Sequence, residues 1–498
     1  MPKITRCVAF TTCLMLAMIG VQARGPAPAL ANAAEKMDRA KVHALLKQRV
    51  DIDAAQADGM TALHWAIYHD DGEMVAALLR AGASVKVANR YGVTPLSLAC
   101  STGNSALVDV LLKSGADPNV ALPGGETPLM TASRSGALAS VKAFLARGVP
   151  VDAKDEVRGQ TALMWAAAEG HADVVQALVD AGANIKTRVP TGLTPLLFAV
   201  REGRLDVVRI LLKAGADVNE TIPTEGGRRR GYGGPSPRGG ASALLLAVMN
   251  AHFELAAALL DAGANPNADL TGYTPLHALT VVREPGVGDN DPAPEGSGKM
   301  TSLELARQLV GHGANLNARM TKKVNLNNTR LNEIGATPFL LAALTADAEL
   351  MKALAAWGAD PSLTNVDKST PLMMAAGLAT RSPGEDAGTE SEVLDAVQTA
   401  LALGADINAV DNNGETAMHA AAYKNLPKVV KFLASKGAKI DLWNRPNKFG
   451  WSPLAIAAGY RFGNFKPSAE TEAAVREVMI AAGVTPPVKV IAVTQQVY

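Results

Sequence analysis

A chain of 498 residues that sets 48 Lys and Arg against 47 Asp and Glu, a formal charge of +1, has no basic field to draw nucleic acid and no acidic excess to keep it unfolded. Hydrophobic residues make up 48% and aromatic residues only 4%, which suits closely packed helices built from small side chains. Of the 3 cysteines only Cys100 lies outside the first apolar segment, which excludes an intramolecular disulfide, a four-sulfur zinc site and a C-x-x-C-H haem attachment from the rest of the chain.

In chain order, Lys3 and Arg6 precede an apolar run from Cys7 to Val21, short for a membrane span of roughly 20 residues. Small-x-small sites follow at Val21-Gln22-Ala23 and Ala29-Leu30-Ala31. Residues 1–23 therefore read as a secretory signal, with cleavage alternatively near 31. Losing Lys3 and Arg6 takes the net charge from +1 to −1. Residues 37–58, with "AKVHALLKQRV", read as one helix and turn of an incomplete capping unit. No later segment is apolar for long enough to span a bilayer.

From Gly59 the chain repeats itself. A glycine two residues before a threonine or serine recurs at Gly59, Gly92, Gly125, Gly159, Gly192, Gly240, Gly272, Gly335, Gly414 and Gly450, with Ser369 where one is missing. Early steps are 33 or 34 residues, the signature of a solenoid. Each unit predicts a threonine N-cap, often with proline at the first helical position, as in Thr94-Pro95, Thr274-Pro275 and Thr370-Pro371. A short Leu/Ala helix comes next, then a turn, then a helix with Val-Val-x-x-Leu-Leu spacing. Gly82, Gly115, Gly182 and Gly215 stand where a left-handed C-cap ends the second helix. Neither helix can bury its face alone, so neighbours must stack.

These residues resemble ankyrin repeats: "GVTPLSLA", "GYTPLHAL" and "GETAMHAAA", followed by "VVRILLKAGADVN" and "LAAALLDAGANPN". The resemblance spans roughly Met37 to Val484. It implies an all-α ankyrin-repeat solenoid of about 11 repeats plus an incomplete N-terminal capping repeat. Repeats 1–5 occupy 59–239, with a long turn at 216–239, and repeats 6–11 occupy 240–484. A tail follows at 485–498.

The period breaks only in the second half. From the T-x-L threonine to the capping glycine is 21 residues in Thr161–Gly182, but 39 in Thr274–Gly313, 34 in Thr370–Gly404 and 31 in Ser452–Gly483. Those extra residues fall between the two helices of alternate repeats and predict loops on one rim. Longer turns between repeats, at 216–239, 318–334 and before Gly450, predict a second set on the opposite rim. The main insertions are 285–301, 318–334, 380–392 and 460–469. Long loops on a rigid scaffold are common sites of binding residues.

Candidate chemistry is sparse. His64, His277 and His419 share one slot, and the resemblance implies that they tie neighbouring turns by hydrogen bonds. "HDDGE" at His69–Glu73 falls in an ordinary inter-helix turn. Asp289 and Asp291 open like a calcium loop but lack its later glycine and glutamate. With Glu385 or Asp386 from the neighbouring insertion, they form an acid group able to hold a cation or to act as acid and base. Arg228-Arg229-Arg230 with Tyr232 and Arg238 resembles an RGG-type tract. Aromatics crowd into one place: Trp443, Arg445, Phe449, Trp451, Tyr460, Arg461, Phe462 and Phe465. Trp, Tyr and Arg dominate protein–protein hot spots. Within that region Trp443, Arg445, Trp451, Tyr460, Arg461, Phe462 and Phe465, together with Asp289 and Asp291, are the expected partner-binding residues.

No nucleophile elbow, P-loop or H-E-x-x-H motif occurs. The expectation is an exported, periplasmic scaffold that binds protein through the concave face the family uses and through the inserted loops. It is expected to be monomeric, without catalysis, cofactor, metal, nucleic-acid partner or integral membrane segment after signal cleavage. A signal in front of ankyrin repeats looks bacterial. Two alternatives stand beside it: a secreted effector that binds host proteins, and a hydrolase or metal-dependent enzyme built from the acidic loops.

Overall fold

The computed structural model describes residues 28–224, 239–284, 294–326, 329–461 and 467–490. The chain divides into two compact units, Met1–Pro123 and Gly124–Tyr498. In the first, helices pair as α1 (Ala29–Glu35) with α2 (Arg39–Lys47), α3 (Ala62–Tyr68) with α4 (Gly72–Arg80), and α5 (Pro95–Thr102) with α6 (Ser105–Lys113). The second unit continues with α7 (Pro128–Arg134) and α8 (Leu138–Leu145), α9 (Ala162–Glu169) and α10 (Ala172–Asp180), α11 (Pro195–Arg201) and α12 (Leu205–Lys213), and α13 (Ala243–Met249) and α14 (Phe253–Asp261). Next come α15 (Pro275–Arg283) and α16 (Ser302–Gly311), then α17 (Pro338–Leu344) and α18 (Ala348–Ala356). The last are α19 (Pro371–Ala375) and α20 (Glu390–Ala402), α21 (Ala417–Tyr423) and α22 (Pro427–Ser435), the short α23 (Ile440–Trp443), and α24 (Pro453–Ala457) and α25 (Ala469–Ala481).

Local chemistry starts and stops these helices as the sequence requires. Thr61, Thr94, Thr127, Thr161, Thr194, Thr337 and Thr370 each accept from a backbone N–H in the first turn. A lost threonine cap costs about 1 kcal/mol. Gly82 ends α4 at φ +97°, while the Ala83 N–H turns back to the Leu78 carbonyl at 3.0 Å. The glycine that opens each repeat is needed for a second reason. A Cβ on Gly59 would stand 2.8 Å from the Asn89 backbone of the next turn. In the ninth repeat Lys368, not Ser369, occupies that position, at φ +60°.

The core is the seam between repeats. Within the second unit α7, α9, α11, α13, α15, α17, α19, α21 and α24 each lie against the next, and a second row runs from α8 through α14 to α16 and from α18 to α25. α9 buries Leu163, Met164, Ala166 and Ala167; α10 buries Val174, Val175 and Leu178. Beside this apolar seam runs a polar ladder. Asn219 donates to the Gly263 carbonyl (3.2 Å) and accepts from the Asn265 N–H (2.7 Å). Asn267 does the same to Gly313 (2.8 Å) and Asn315 (2.7 Å). The final asparagine of the "GAxxN" turns at Asn219, Asn267, Asn317 and Asn408 therefore joins its repeat to the next.

Two expectations are corrected. The N-terminal cap is a full helix pair that begins at Ala29 rather than a half-repeat from residue 37. Leu30, Ala31, Ala33 and Ala34 of α1 are buried, and α1 lies against α3. The two sets of insertions also do not stay on opposite rims. The loop between α16 and α17 folds back on itself: Met320 and Ala336 pair through a 2.8 Å N–H to O bond, and the buried Glu333 carboxylate accepts from Val324, Asn325 and Leu326 N–H groups at 2.5–2.6 Å. This hairpin carries Arg330, whose N–H donates to Ala379 at the start of the 380–392 insertion (3.1 Å).

Candidate functional site

The repeat-slot histidines are structural. His277 Nδ1 accepts from the Thr274 N–H (3.2 Å), so Nε2 carries the proton and donates to the Ala336 carbonyl of the next repeat (3.1 Å). His419 repeats this with Thr416 and Arg445, and His64 with Thr61 and Val93. Burial holds His277 and His419 down at about 4, so both are neutral at neutral pH. His69 and Asp71 of the "HDDGE" turn are also engaged, His69 with the Glu35 carbonyl and Asp71 with Arg39. Among the described residues no three His, Cys, Asp or Glu side chains come together as a metal-holding group. Cys100 is fully buried, and burial pushes its thiol far above the usual range.

The aromatic group divides into buried and accessible members. Trp443 is 2% exposed, and its indole donates to the Ala438 carbonyl (3.2 Å) under the long turn. Arg461 is 8% exposed, with its guanidinium beside the Tyr423 ring and one N–H on the Tyr423 carbonyl. Burial removes both from the accessible surface, because each fills space that an enlarged loop opens over the helices. Tyr460 is half-buried, and its hydroxyl donates to Val490 (3.4 Å). Trp451 is half-buried, 5.3 Å from the Phe449 ring, and packs on the buried group of Ala422, Tyr423, Ile456 and Ala457. Lys448 lies over Phe449 at 5.0 Å, and Arg445 is exposed on the same turn. The surface part is thus Arg445, Lys448, Phe449 and Trp451. Asp289, Asp291, Phe462, Phe465, the Arg228–Arg230 tract and the signal segment lie outside the described residues.

The acid pairing expected of Asp386 with Asp289 and Asp291 lies outside the described residues, but the setting of Asp386 itself is described. Its carboxylate accepts from the Arg381 and Ser382 N–H groups at 2.7 and 3.3 Å, inside its own loop. Burial pushes its carboxyl above the usual range. Around it stand cations that sequence reasoning passed over. Lys424, 6% exposed, points its ammonium at the Ala387 carbonyl; Arg461 approaches from the loop after α24, and Arg330 from the hairpin before α17. The available signal was that three separate insertions, 318–334, 380–392 and 460–469, each carry an arginine: Arg330, Arg381 and Arg461.

Beside these cations is a buried polar triad. Glu415 accepts from the Tyr423 hydroxyl and from Asn447, both at 2.8 Å, and Asn447 also donates to the Tyr423 oxygen (3.0 Å). Burial lifts the Glu415 carboxyl to about 7. A separate cleft, lined by Phe253, Val282, Arg283, Ser297 and Met300, has a volume of about 390 Å³. Its arginine is already neutralised by Asp347 (2.6 Å) and Glu349 (2.9 Å).

The family model for ankyrin repeats in three copies matches residues 30–122, 111–189, 129–222 and 388–466, and the single-repeat model matches 239–269. An ankyrin repeat protein of fowlpox virus (strain NVSL) is 39% identical over 64 residues, which is 13% of this chain and 14% of that protein, so the match spans about a seventh of the relative's length. Among solved structures, the ankyrin repeat domain of Bcl-3 is 29% identical over 38% of this chain and 87% of that one, with a TM-score of 0.35. The human ASB11 ankyrin repeat domain is 27% identical over 49% of this chain and all of that one, with a TM-score of 0.40. Capped helix pairs, histidine ties, asparagine ladder and family matches over more than half of the sequence lead to one conclusion: this chain belongs to the ankyrin repeat family.

Proposed function

We propose that the protein is an exported, periplasmic scaffold that holds a protein partner on its repeat surface and inserted loops, with no bond made or broken. The observation that carries this reading is the surface left around a closed core. The helix pairs and ladder consume the regular sequence, and Arg445, Lys448, Phe449 and Trp451 remain as an accessible group of the types that anchor protein contacts. Support for export comes from Lys3, Arg6 and the apolar Cys7–Val21 run. The proposed state is a monomer.

Cross-linking the mature protein in its native cells, with mass spectrometry of the captured species, tests this reading. One dominant protein linked through residues 215–467, and lost in Trp451→Ala with Arg445→Ala, is the expected result. Failure to capture any protein, with a metal or small molecule retained instead, would overturn it. Capture of a host protein from culture supernatant would favour the secreted-effector alternative.

A further inference from the structure

The turn that carries the accessible group is pinned from beneath by one side chain. Asn447 Oδ1 accepts from the Phe449 and Trp451 N–H groups at 3.0 and 3.1 Å, and the Asn447 N–H donates to the Trp451 carbonyl at 3.0 Å. These bonds fix the amide, with its NH2 turned inward. There it donates to the Glu415 carboxyl (2.8 Å) and to the Tyr423 oxygen (3.0 Å), and Tyr423 donates to the same Glu415 oxygen (2.8 Å). Glu415 thus stands one side chain away from the backbone of Phe449 and Trp451.

The repeat does not need a carboxyl in this place. Asn89 shapes the turn before the second repeat in the same way, accepting from the Tyr91 and Val93 N–H groups at 3.0 and 2.9 Å. Its amide meets Met60, which fills the slot that Glu415 fills in the tenth repeat. Glu126, in that slot of the third repeat, has a 23% exposed side chain and an ion pair with Arg134 at 3.0 Å. Glu415 is 7% exposed, and a hydroxyl and an amide take the place of the arginine. Such surroundings favour the neutral acid, and burial lifts this carboxyl to about 7.

The charged groups that face Glu415 are Asp411 and Lys448, while Arg461 and Arg330 face its partner Tyr423. Of the helices packed on α21, α19 and α24 carry no ionisable residue, and Lys428 and Lys431 of α22 and Asp441 of α23 are exposed. His419, on α21 itself, is held at about 4, and Lys424, next after α21, faces Asp386 and Glu392 instead. The Lys448 ammonium lies on Asn413 Oδ1 and over the Phe449 ring at 5.0 Å. Loss of the Glu415 proton puts a charge beneath the turn that these contacts do not neutralise. Lys448 is then drawn off the Phe449 ring, and the ammonium or water must reach the carboxylate past Asn447.

We propose that Glu415 is the positioning residue of the 445–451 surface: its neutral carboxyl, acting through Asn447, holds the turn in the shape that receives a partner, and its ionisation releases that shape. The partner rests on the scaffold reading, whereas the switch rests on the turn alone.

The test of the switch needs no partner. The full mature chain, grown with fluorotryptophan, gives a fluorine NMR signal for each of its 5 tryptophans, and Trp451→Phe identifies the one at this site. The Trp451 signal should move with a midpoint near pH 7, while that of Trp165, in another repeat, stays in place. In Glu415→Gln, which keeps an acceptor for Tyr423 and Asn447, the Trp451 signal should hold its low-pH position throughout. A flat wild-type signal between about pH 5.5 and about pH 8.5, or the same titration in Glu415→Gln, overturns the switch. The wild-type titration stands whether or not the variant folds. Cross-linked partner should fall about tenfold from about pH 6 to about pH 8, as the neutral fraction does, and stay constant in Glu415→Gln. Equal capture by the wild type at both pH values overturns the role in binding. A titrating Trp451 with no protein captured at either pH overturns the scaffold reading and supports the switch.

Discussion

At the scale of single residues, burial decides which charges matter. Glu415 is buried against Tyr423 and Asn447, and its folded value of about 7 lies above the ordinary 4.5. A raised acid binds its proton more tightly in the fold, so its stabilising contribution is complete below pH 4.5 and lost as pH rises to about 7. The loss amounts to about 3 kcal/mol. Glu415→Gln keeps an acceptor for the Tyr423 hydroxyl but cannot ionise. Urea unfolding should show the variant gaining on the wild type by up to about 3 kcal/mol between about pH 4.5 and 8; parallel curves would sink this account. His277 and His419, held at about 4, work in the opposite sense. Their contribution is complete above pH 6.5 and lost as pH falls toward 4, so the Glu415→Gln change leaves the acid limb as it is. A second contrast concerns two arginines with the same task. Arg283 and Arg39 each clamp an aspartate that caps the next second helix, Asp347 at 2.6 Å and Asp71 at 2.7 Å. The Arg283 side chain is 8% exposed and that of Arg39 57%. Both aspartates are buried, with side chains 3% and 4% exposed, but water can take the place of the exposed Arg39 guanidinium and not of the buried Arg283 one, so Arg283→Ala should cost about 3–5 kcal/mol and Arg39→Ala far less. Equal losses in thermal unfolding would show that burial is not the deciding variable.

At the scale of elements, the insertions separate into bare length and packed structure. The stretch after Pro294 is docked: Ser297 Oγ meets His252 Nδ1 at 2.9 Å, and the Lys299 N–H donates to Glu254 at 2.7 Å. A Cβ on Gly296 would overlap the Ala251 carbonyl oxygen. Gly296→Ala should therefore lower stability by about 1–3 kcal/mol although the residue lies in a sequence insertion. An unchanged Tm would mean that the segment lies on the surface without packing. Removal of 286–298 would take the Ser297–His252 contact away as well. The sequence could not reveal this docking, because the partners His252 and Glu254 lie more than 40 residues earlier, in the preceding repeat. Repeat helices were legible for the opposite reason. Thr94-Pro95, the Val-Val-x-x-Leu-Leu face and Gly82 act within one or two turns of the chain, where spacing alone carries the information. The hairpin around Glu333 lies between these cases. Its composition announces a loop, but nothing in "RMTKKVNLNNTRLNEI" says that one carboxylate gathers three N–H groups and sends Arg330 to Ala379.

At the scale of the whole molecule, repetition made the family readable, whereas the candidate sites were only partly so. Trp443 and Arg461 carry a composition typical of hot spots, yet both are buried, since an aromatic or arginine beneath an enlarged loop has the same local sequence as one above it. The cations around Asp386 come from three insertions and a helix end, a convergence that only the stacked repeats create. The same logic fixes an expectation for the mature chain. Two signal cleavage sites are compatible with the sequence, after Ala23 and near Ala31. For the proposed signal the two differ in what they leave behind, because α1 runs from Ala29 to Glu35 and lies against α3 with Leu30 and Ala31 1% and 0% exposed. Cutting near 31 would remove the first turn of α1, which lies against α3 and buries Leu30 and Ala31. Losing one buried leucine contact alone costs about 2–5 kcal/mol, and terminal repeats need an intact cap to stay soluble. Cutting after Ala23 leaves α1 whole. Protein purified from its native cells should therefore begin at Arg24, by intact mass and N-terminal sequencing, and should be released by osmotic shock. A chain engineered to start at Asn32 should unfold at lower temperature and aggregate. A mature N-terminus at Asn32 with unchanged Tm would show that α1 is dispensable, and an uncleaved Met1 in the cytoplasm would remove the basis for export.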